Sequence, residues 1–331
     1  PLSHRHTPEI TALANAVSCV TGGGGIRTGR VHRVTAALQI AIAVPLLILS
    51  FVSLDRVRST ATADLGFACD LLYAAPLELD AATDANIGFQ LRRVRDSLAR
   101  ASGVASVTVA DGLPLDFRYR IARVSTQTDA NVAPTVLSAH VTRVGEGYLD
   151  TMRIPLLRGR GLTIDDGAGA EMVTVISKTL ADKLFSDAEA IGQRLTFGTP
   201  GDESKPPRTL TIVGVTADFP TSQMSTDREQ LLLPLAQHPD VRRDSVPVSD
   251  DRSGAPTVML VARSAAGEPA SKLTAALENT MREHDPDFDR ARIVTGVSLR
   301  QYSMDDFLNH SAFTGSGGGV TLLLAALGLY G

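Results

Sequence analysis

NIGFQLRRVRDSLARASGVASVTVA, residues 86–110, decides the fold. Its first part sets Ile87, Leu91, Val94 and Leu98 at helical spacing, with arginines on the opposite face. Gly103 stops that helix, since glycine readily takes the left-handed conformation that closes a helix C-terminus. VASVTVA, residues 104–110, then alternates as a half-buried strand does. Upstream, ACDLLYAA at 68–75 can form another strand, so the order is β–α–β.

The same order returns near the C-terminus. TVMLVAR, 257–263, is predicted to be a strand. Leu273, Leu277, Met281 and His284 form an apolar stripe through ASKLTAALENTMREH, and RIVTGVS, 292–298, supplies a second strand. One β–α–β unit buries too little surface to stand alone. The two halves, at about 66–112 and 256–299, are therefore expected to pair into one α/β sandwich.

Between them, HVTRV (140–144), MVTVI (172–176), RLTF (194–197), TLTIVGVTAD (209–218) and LLLPL (231–235) read as strands. SKTLADKLF, 177–185, reads as a helix with Ser177 as its N-cap. Proline and charge cluster at 199–208 and 238–256, which marks loops. The expected fold class is α+β, with a mixed α/β subdomain at about 117–250 inserted between the halves.

From Val34 to Leu54 no residue is charged: VTAALQIAIAVPLLILSFVSL. At 1.5 Å per residue, a helix of about 21 residues crosses a hydrocarbon core of about 30 Å. The expected organisation is a cytoplasmic linker at 1–33, a transmembrane helix at 34–54, an outer domain at 55–312, and the start of a second membrane helix at 313–331. Arg27, Arg30 and Arg33 precede the span and Arg56 and Arg58 follow it, which favours a cytoplasmic N-terminus. Cys19 and Cys69 then lie on opposite sides of the membrane and cannot pair, so the outer fold relies on no disulfide. The initial Pro1 and the apolar run ending at Gly331 suggest a fragment of a longer protein.

The chemistry expected is sparse. TGGGGIRTGRV, 21–31, has the glycine spacing of a phosphate-binding loop at Gly24 and Gly29. Arg30 stands where the lysine should be and Val31 where the magnesium-binding hydroxyl should be, so the stretch reads as a tether and no ATP binding is expected. The seven histidines are scattered, without metal-site spacing. Asp285, Asp287 and Asp289 have the beginning of a calcium-loop pattern, but Arg290 occupies the glycine position and Gly296 the position of the bidentate glutamate. They read as a solvated loop, His284 as a packed or capping residue, and Arg158 and Arg160 as structural loop arginines. No catalytic, cofactor-binding or metal-ligating residue is assigned, no cofactor is implied, and the chain is not expected to be an enzyme. A net charge of −4 offers no basic field for nucleic acid.

EGYLDTMRIPLLRGR (146–160), VTVISKTLADKLF (173–185), AIGQRLTFG (190–198) and TIVGVTADF (211–219) together resemble the periplasmic core domain of MacB-type ABC transporter permeases. LLLAALGLYG resembles the start of the second membrane helix, where the FtsX-like permease segment begins. The departures are Arg153 for a usual Gly, Ala190 for a usual Pro and Leu149 for a usual Phe. The resemblance implies two periplasmic β–α–β halves around an inserted subdomain, held in the bacterial inner membrane. It implies a permease, working with a separate cytoplasmic ABC ATPase and with a second permease copy or tandem unit. Its role would be to couple ATP hydrolysis to periplasmic motion for export, efflux or mechanotransmission. A periplasmic adaptor is a further partner that the resemblance allows. The competing reading is a membrane-tethered ligand-binding or sensor ectodomain.

Overall fold

Strand β10 (Thr257–Ser264) lies between β1 (Leu72–Glu78) and β2 (Val104–Ala110) and runs antiparallel to both. A computed structural model of the chain describes residues 65–78, 84–115, 120–126, 135–186, 188–198, 207–220, 228–237 and 257–302, with scattered positions between 37 and 55. The chain divides into two units, residues 56–309 and residues 1–55 with 310–331. In the second unit, the described residues at 37–38, 40–41, 44–45, 48–49, 51–52 and 55 are helical. Leu38, Ile48, Leu49, Phe51 and Val52 there are exposed. Among the described residues no helix is long and apolar enough to cross a membrane. Most of the 34–54 run and all of 313–331 lie outside the described residues, as do Cys19 and the glycine-rich stretch.

Within residues 56–309, β1 connects to β2 through α1 (Asp84–Ala99), and β10 connects to β11 (Val294–Thr295) through α4 (Ala270–Arg282). The strand order β11–β1–β10–β2 splits each β–α–β unit with a strand of the other, a ferredoxin-like layer. Alternation along the strands explains its two faces. Tyr73, Ala75, Leu77, Val258, Leu260 and Ala262 meet Leu91, Val94 and Leu98 of α1 and Leu273, Leu277 and Met281 of α4 in one core. Leu72, Ala74, Met259 and Val261 point the other way, into a second core. A strand buried on both faces has no polar alternation, which is why β1 reads LYAAPLE.

A second body is inserted between β2 and β10. Its strands are β3 (Arg120–Thr126), β4 (Val136–Val144), β5 (Leu156–Gly159), β6 (Val173–Ser177), β7 (Arg194–Phe197), β8 (Arg208–Thr216) and β9 (Gln230–Pro234). Pairing runs β4–β3–β7–β8–β6–β9 and returns from β9 to β4, so these six strands close into a ring; β5 pairs with β8. Closure leaves no open edge between its first and last strands. Val124, Val141, Ile176, Leu195, Leu210, Ile212, Leu231 and Leu233 fill its core, joined by Leu180 and Leu184 of α3 (Lys178–Phe185). Ser177 caps α3, its hydroxyl accepting from the Leu180 N–H. Val175 and Leu232 lie outside the ring core and enter the second core of the layer. Layer and ring join where Ala110 of β2 pairs with Val144 of β4. There the Asp111 carboxylate accepts from the Arg143 N–H at 2.8 Å.

Three expectations shift. The first strand begins at Leu72, not residue 68, because Leu71 has φ 60 and residues 65–71 form a separate segment. RIVTGVS is mostly not strand. Residues 290–292 form a 3₁₀ turn, only Val294–Thr295 pair, and 296–302 are helical. Thr295 and Ser298 exchange side-chain-to-backbone hydrogen bonds of 3.0 and 2.9 Å, a reciprocal cap that turns the chain into a helix. Arg158 sits on strand β5 instead of in a loop.

Candidate functional site

The second core is where the chain's incoming segment docks. Leu65, Phe67 and Cys69 are buried there with Met152, Ile154, Phe219, Met259 and Val261. Full burial of a leucine or phenylalanine side chain is worth about 1.5–3 kcal/mol each. Gly66 has φ +68, and a Cβ there would lie 2.3 Å from the Asp218 carbonyl oxygen. No other residue lets the segment pass so close. The Asp218 carboxylate accepts from the Thr179 N–H at 2.9 Å and the Thr179 hydroxyl at 2.7 Å, fixing the first turn of α3. The segment thus touches the ring body at the same residue that anchors its helix.

The outgoing segment meets the incoming one. A Cβ on Gly296 would lie 2.2 Å from the Cys69 carbonyl oxygen, so the two backbones touch. Leu299 packs against the same core. Cys69 is 7% exposed, and burial pushes its thiol above its ordinary pKa.

Arg263 closes the junction. It shares the strand parity of Met259 and Val261, so β10 aims it into this core, where it is 3% exposed. Its Nε donates to the Thr151 carbonyl at 2.6 Å, Nη1 to Asp70 at 2.6 Å and Nη2 to Ala68 at 2.7 Å. The fork of the guanidinium spans three carbonyls that an ammonium cannot reach together. Burial, and after it Arg153, lower its pKa, yet an arginine stays protonated. Two of the carbonyls belong to the incoming segment and one to helix α2 (Tyr148–Met152). The Ala68 N–H also donates to Met152 at 3.0 Å.

Residues 34–280 match the MacB-like periplasmic core domain. The chain belongs to that family. It is the periplasmic domain family of ABC transporter permeases. A stretch of 103 residues is 31% identical to the macrolide export ATP-binding/permease protein MacB 1/2 of Paracoccus denitrificans, covering 30% of this chain and 15% of that protein. The match thus spans a small part of its relative's length. Among solved structures, the periplasmic region of MacB from Actinobacillus actinomycetemcomitans is similar at 14% identity and TM-score 0.46, over 74% of this chain and 97% of that one. The extracellular domain of the noncanonic ABC-type transporter YknZ from Gram-positive bacteria is similar at 12% identity and TM-score 0.39, over 67% and 98%.

Three of the four stretches that resemble the MacB-like family reach this junction, VTVISKTLADKLF through Val175 and Thr179, while AIGQRLTFG forms β7 and packs in the ring core. EGYLDTMRIPLLRGR forms α2 and β5, and TIVGVTADF forms β8 and brings Asp218 to Gly66. Arg153, where the resemblance has Gly, closes α2 with φ 56 and ψ 42. A non-glycine residue in that conformation costs about 1–2 kcal/mol, against about 0.5–1 kcal/mol for the extra unfolded-state freedom of glycine. Arg153→Gly is therefore expected to stabilise the domain by about 0.5–1 kcal/mol. It also removes a like charge from Arg263. A rise in the urea midpoint at unchanged slope checks this.

The residues singled out in the sequence lie elsewhere. Asp285 accepts from the Asp287 N–H and faces Arg292 at 3.4 Å, and Asp289 caps the following 3₁₀ turn through the Ala291 N–H. His284 is exposed beyond the end of α4, its Nδ1 3.3 Å from the Thr280 carbonyl, so it is not packed. Met281 and Phe288 fill the core there instead. His140 is buried in β4; the other histidines lie outside the described residues. Arg158 faces Glu189 at 3.6 Å, and Arg160 pairs in two bonds of 2.7 and 2.8 Å with Asp166. Sequence reading passed over Arg263. The available signal was its parity with Met259 and Val261, which puts a charge on a buried face.

Asp166 carries a pH dependence. The hydrogen bond from Arg160, with bonds from the Thr163 N–H and hydroxyl, holds its carboxyl below the ordinary value of 3.8. A depressed folded value means the stabilisation is complete above that ordinary value. It is lost as pH falls through the lower folded one. Asp166→Asn is expected to be less stable at pH 7 and to lose less on acidification to pH 3. Urea midpoints of both proteins at the two pH values read this directly.

Proposed function

We propose that the chain is part of the membrane subunit of an ABC-type transporter and that it transmits force between the membrane and its periplasmic domain. A separate cytoplasmic ATPase supplies the energy, and a second permease copy or tandem unit completes the assembly. In this reading 34–54 is the first membrane helix, 313–331 begins the second, and 55–312 lies outside the cytoplasm. The exposed apolar helical residues Leu38, Ile48, Leu49 and Phe51 suit a lipid environment. The relative from Paracoccus denitrificans is named for both ATP binding and permeation, and this chain carries the periplasmic family domain.

The observation that carries the reading is the junction. The incoming segment, the outgoing segment, the layer and the ring meet at one packed core clamped by Arg263. Displacement of either segment cannot be absorbed locally, because close-packed interiors transmit strain. The test uses the full-length protein reconstituted with its ATPase. Spin labels at the exposed Arg93 of each permease copy report their separation. ATP is expected to shift the distance distribution. An unchanged distribution during active hydrolysis would refute force transmission.

A further inference from the structure

A cleft of about 600 Å³ opens between α1, the turn before α2, loop 162–168 and the 3₁₀ turn Leu235–Gln237. We propose that it binds a small amphiphilic anion: an apolar body of drug size carrying one acidic group. Leu91, Val109, Val144 and Leu235, all buried, make the apolar floor. Ile164 stands on the rim, 59% exposed, a large apolar side chain with nothing covering it among the described residues. The volume lies within the roughly 300–1,000 Å³ that small-molecule sites occupy.

Charge selects the ligand. Four ionisable side chains face the cleft: Arg92, Arg95, Glu146 and Asp166. Arg95 is paired with Glu146 and with Asp96, and Asp166 is paired with Arg160. Among the described residues Arg92 makes no ion pair or side-chain hydrogen bond, so although the lining charges balance, its guanidinium is the group at the cleft left open to a ligand. A guanidinium beside an apolar wall binds a carboxylate or sulfonate in a charge-assisted pair, while the wall takes the apolar body. The loop wall is already set by the four bonds that Asp166 accepts from Arg160 and Thr163, so little ordering cost falls on binding. Nothing in the argument depends on transport, and the site stands if that reading fails.

The test is titration of the full chain in nanodiscs with 8-anilinonaphthalene-1-sulfonate, with the signal of empty discs subtracted. Arg92→Glu is expected to weaken binding about tenfold or more, and Arg92→Lys to stay within about threefold. Arg93→Glu, the same charge change one residue on and outside the cleft, is expected to leave affinity unchanged. Ala236→Trp, at an exposed lining position that needs no core space, is expected to abolish binding. Equal loss in the Arg93 and Arg92 variants would reduce the effect to general electrostatics and overturn the proposal. Unimpaired binding in either the Arg92→Glu or the Ala236→Trp protein would overturn it as well.

Discussion

Arg263→Leu is expected to lower the unfolding free energy of the periplasmic-type domain by about 2–4 kcal/mol. Arg263 donates to three carbonyls, at Ala68, Asp70 and Thr151. Hydrogen bonds from a charged donor contribute about 1.5–3 kcal/mol each in isolation. The sum overstates the loss for two reasons. Burying the guanidinium has its own desolvation cost, which leucine recovers. The residues Ala68 and Asp70 are not fully buried, so water can take over their carbonyls, whereas Thr151 is at 0% exposure and its carbonyl is stranded. Arg263→Lys keeps the charge and one bond and is expected to fall between. The loss should also be local. The Ala68 N–H, which donates to Met152, should exchange with solvent faster in the variant than amides of β7 in the ring. A destabilisation below about 0.5 kcal/mol with unchanged exchange would show that the junction holds without its clamp.

How the junction was hidden explains what the sequence could and could not show. The layer was legible because its helices carry periodic stripes and its strands alternate. Leu91, Val94 and Leu98, and Leu273, Leu277 and Met281, all face the core that their spacing implies. The interleaving of the two halves was not legible, since strand order depends on long-range pairing and not on local pattern. Strand β5 escaped notice for a local reason. Leu156 to Gly159 is exposed throughout, so it has no buried face to generate a period of two. The closed ring is a property of six pairings among strands that run from Arg120 to Pro234, and no window contains it. The junction residues were harder still. Gly66 and Gly296 look like ordinary loop glycines until the Asp218 and Cys69 carbonyls are placed beside them. The four stretches that resemble the MacB-like family were legible as letters, but the meeting of three of them at α2, β8 and Asp218 is three-dimensional.

Glycine insertion into LDRVRSTATADLG, residues 54–66, is expected to abolish ATP-dependent transport by the full-length protein while leaving its assembly with the ATPase intact. Residues 56–64 lie outside the described residues; the sequence there has no strong helix breaker between Arg56 and Ala63. In the proposed mechanism this stretch carries displacement from the first span to Leu65, Phe67 and Cys69, where the junction grips it. A helix passes axial displacement along its length at about 1.5 Å per residue, whereas a glycine-rich coil stores it as entropy. Replacing Val57 and Ser59 with Gly costs only about 0.5–1 kcal/mol of helix propensity at each site. The domain should therefore keep its unfolding midpoint, since Leu65 and Phe67 still bury. Arg263→Leu and the linker insertion then make opposite demands. The first loosens the grip and lowers domain stability; the second leaves the grip and stability alone and removes only the rigid path to it. Transport that survives several inserted glycines, in a protein of normal stability and assembly, would mean that the stroke does not travel through residues 54–66. The outgoing segment at 296–302 would then be the remaining route into the same core.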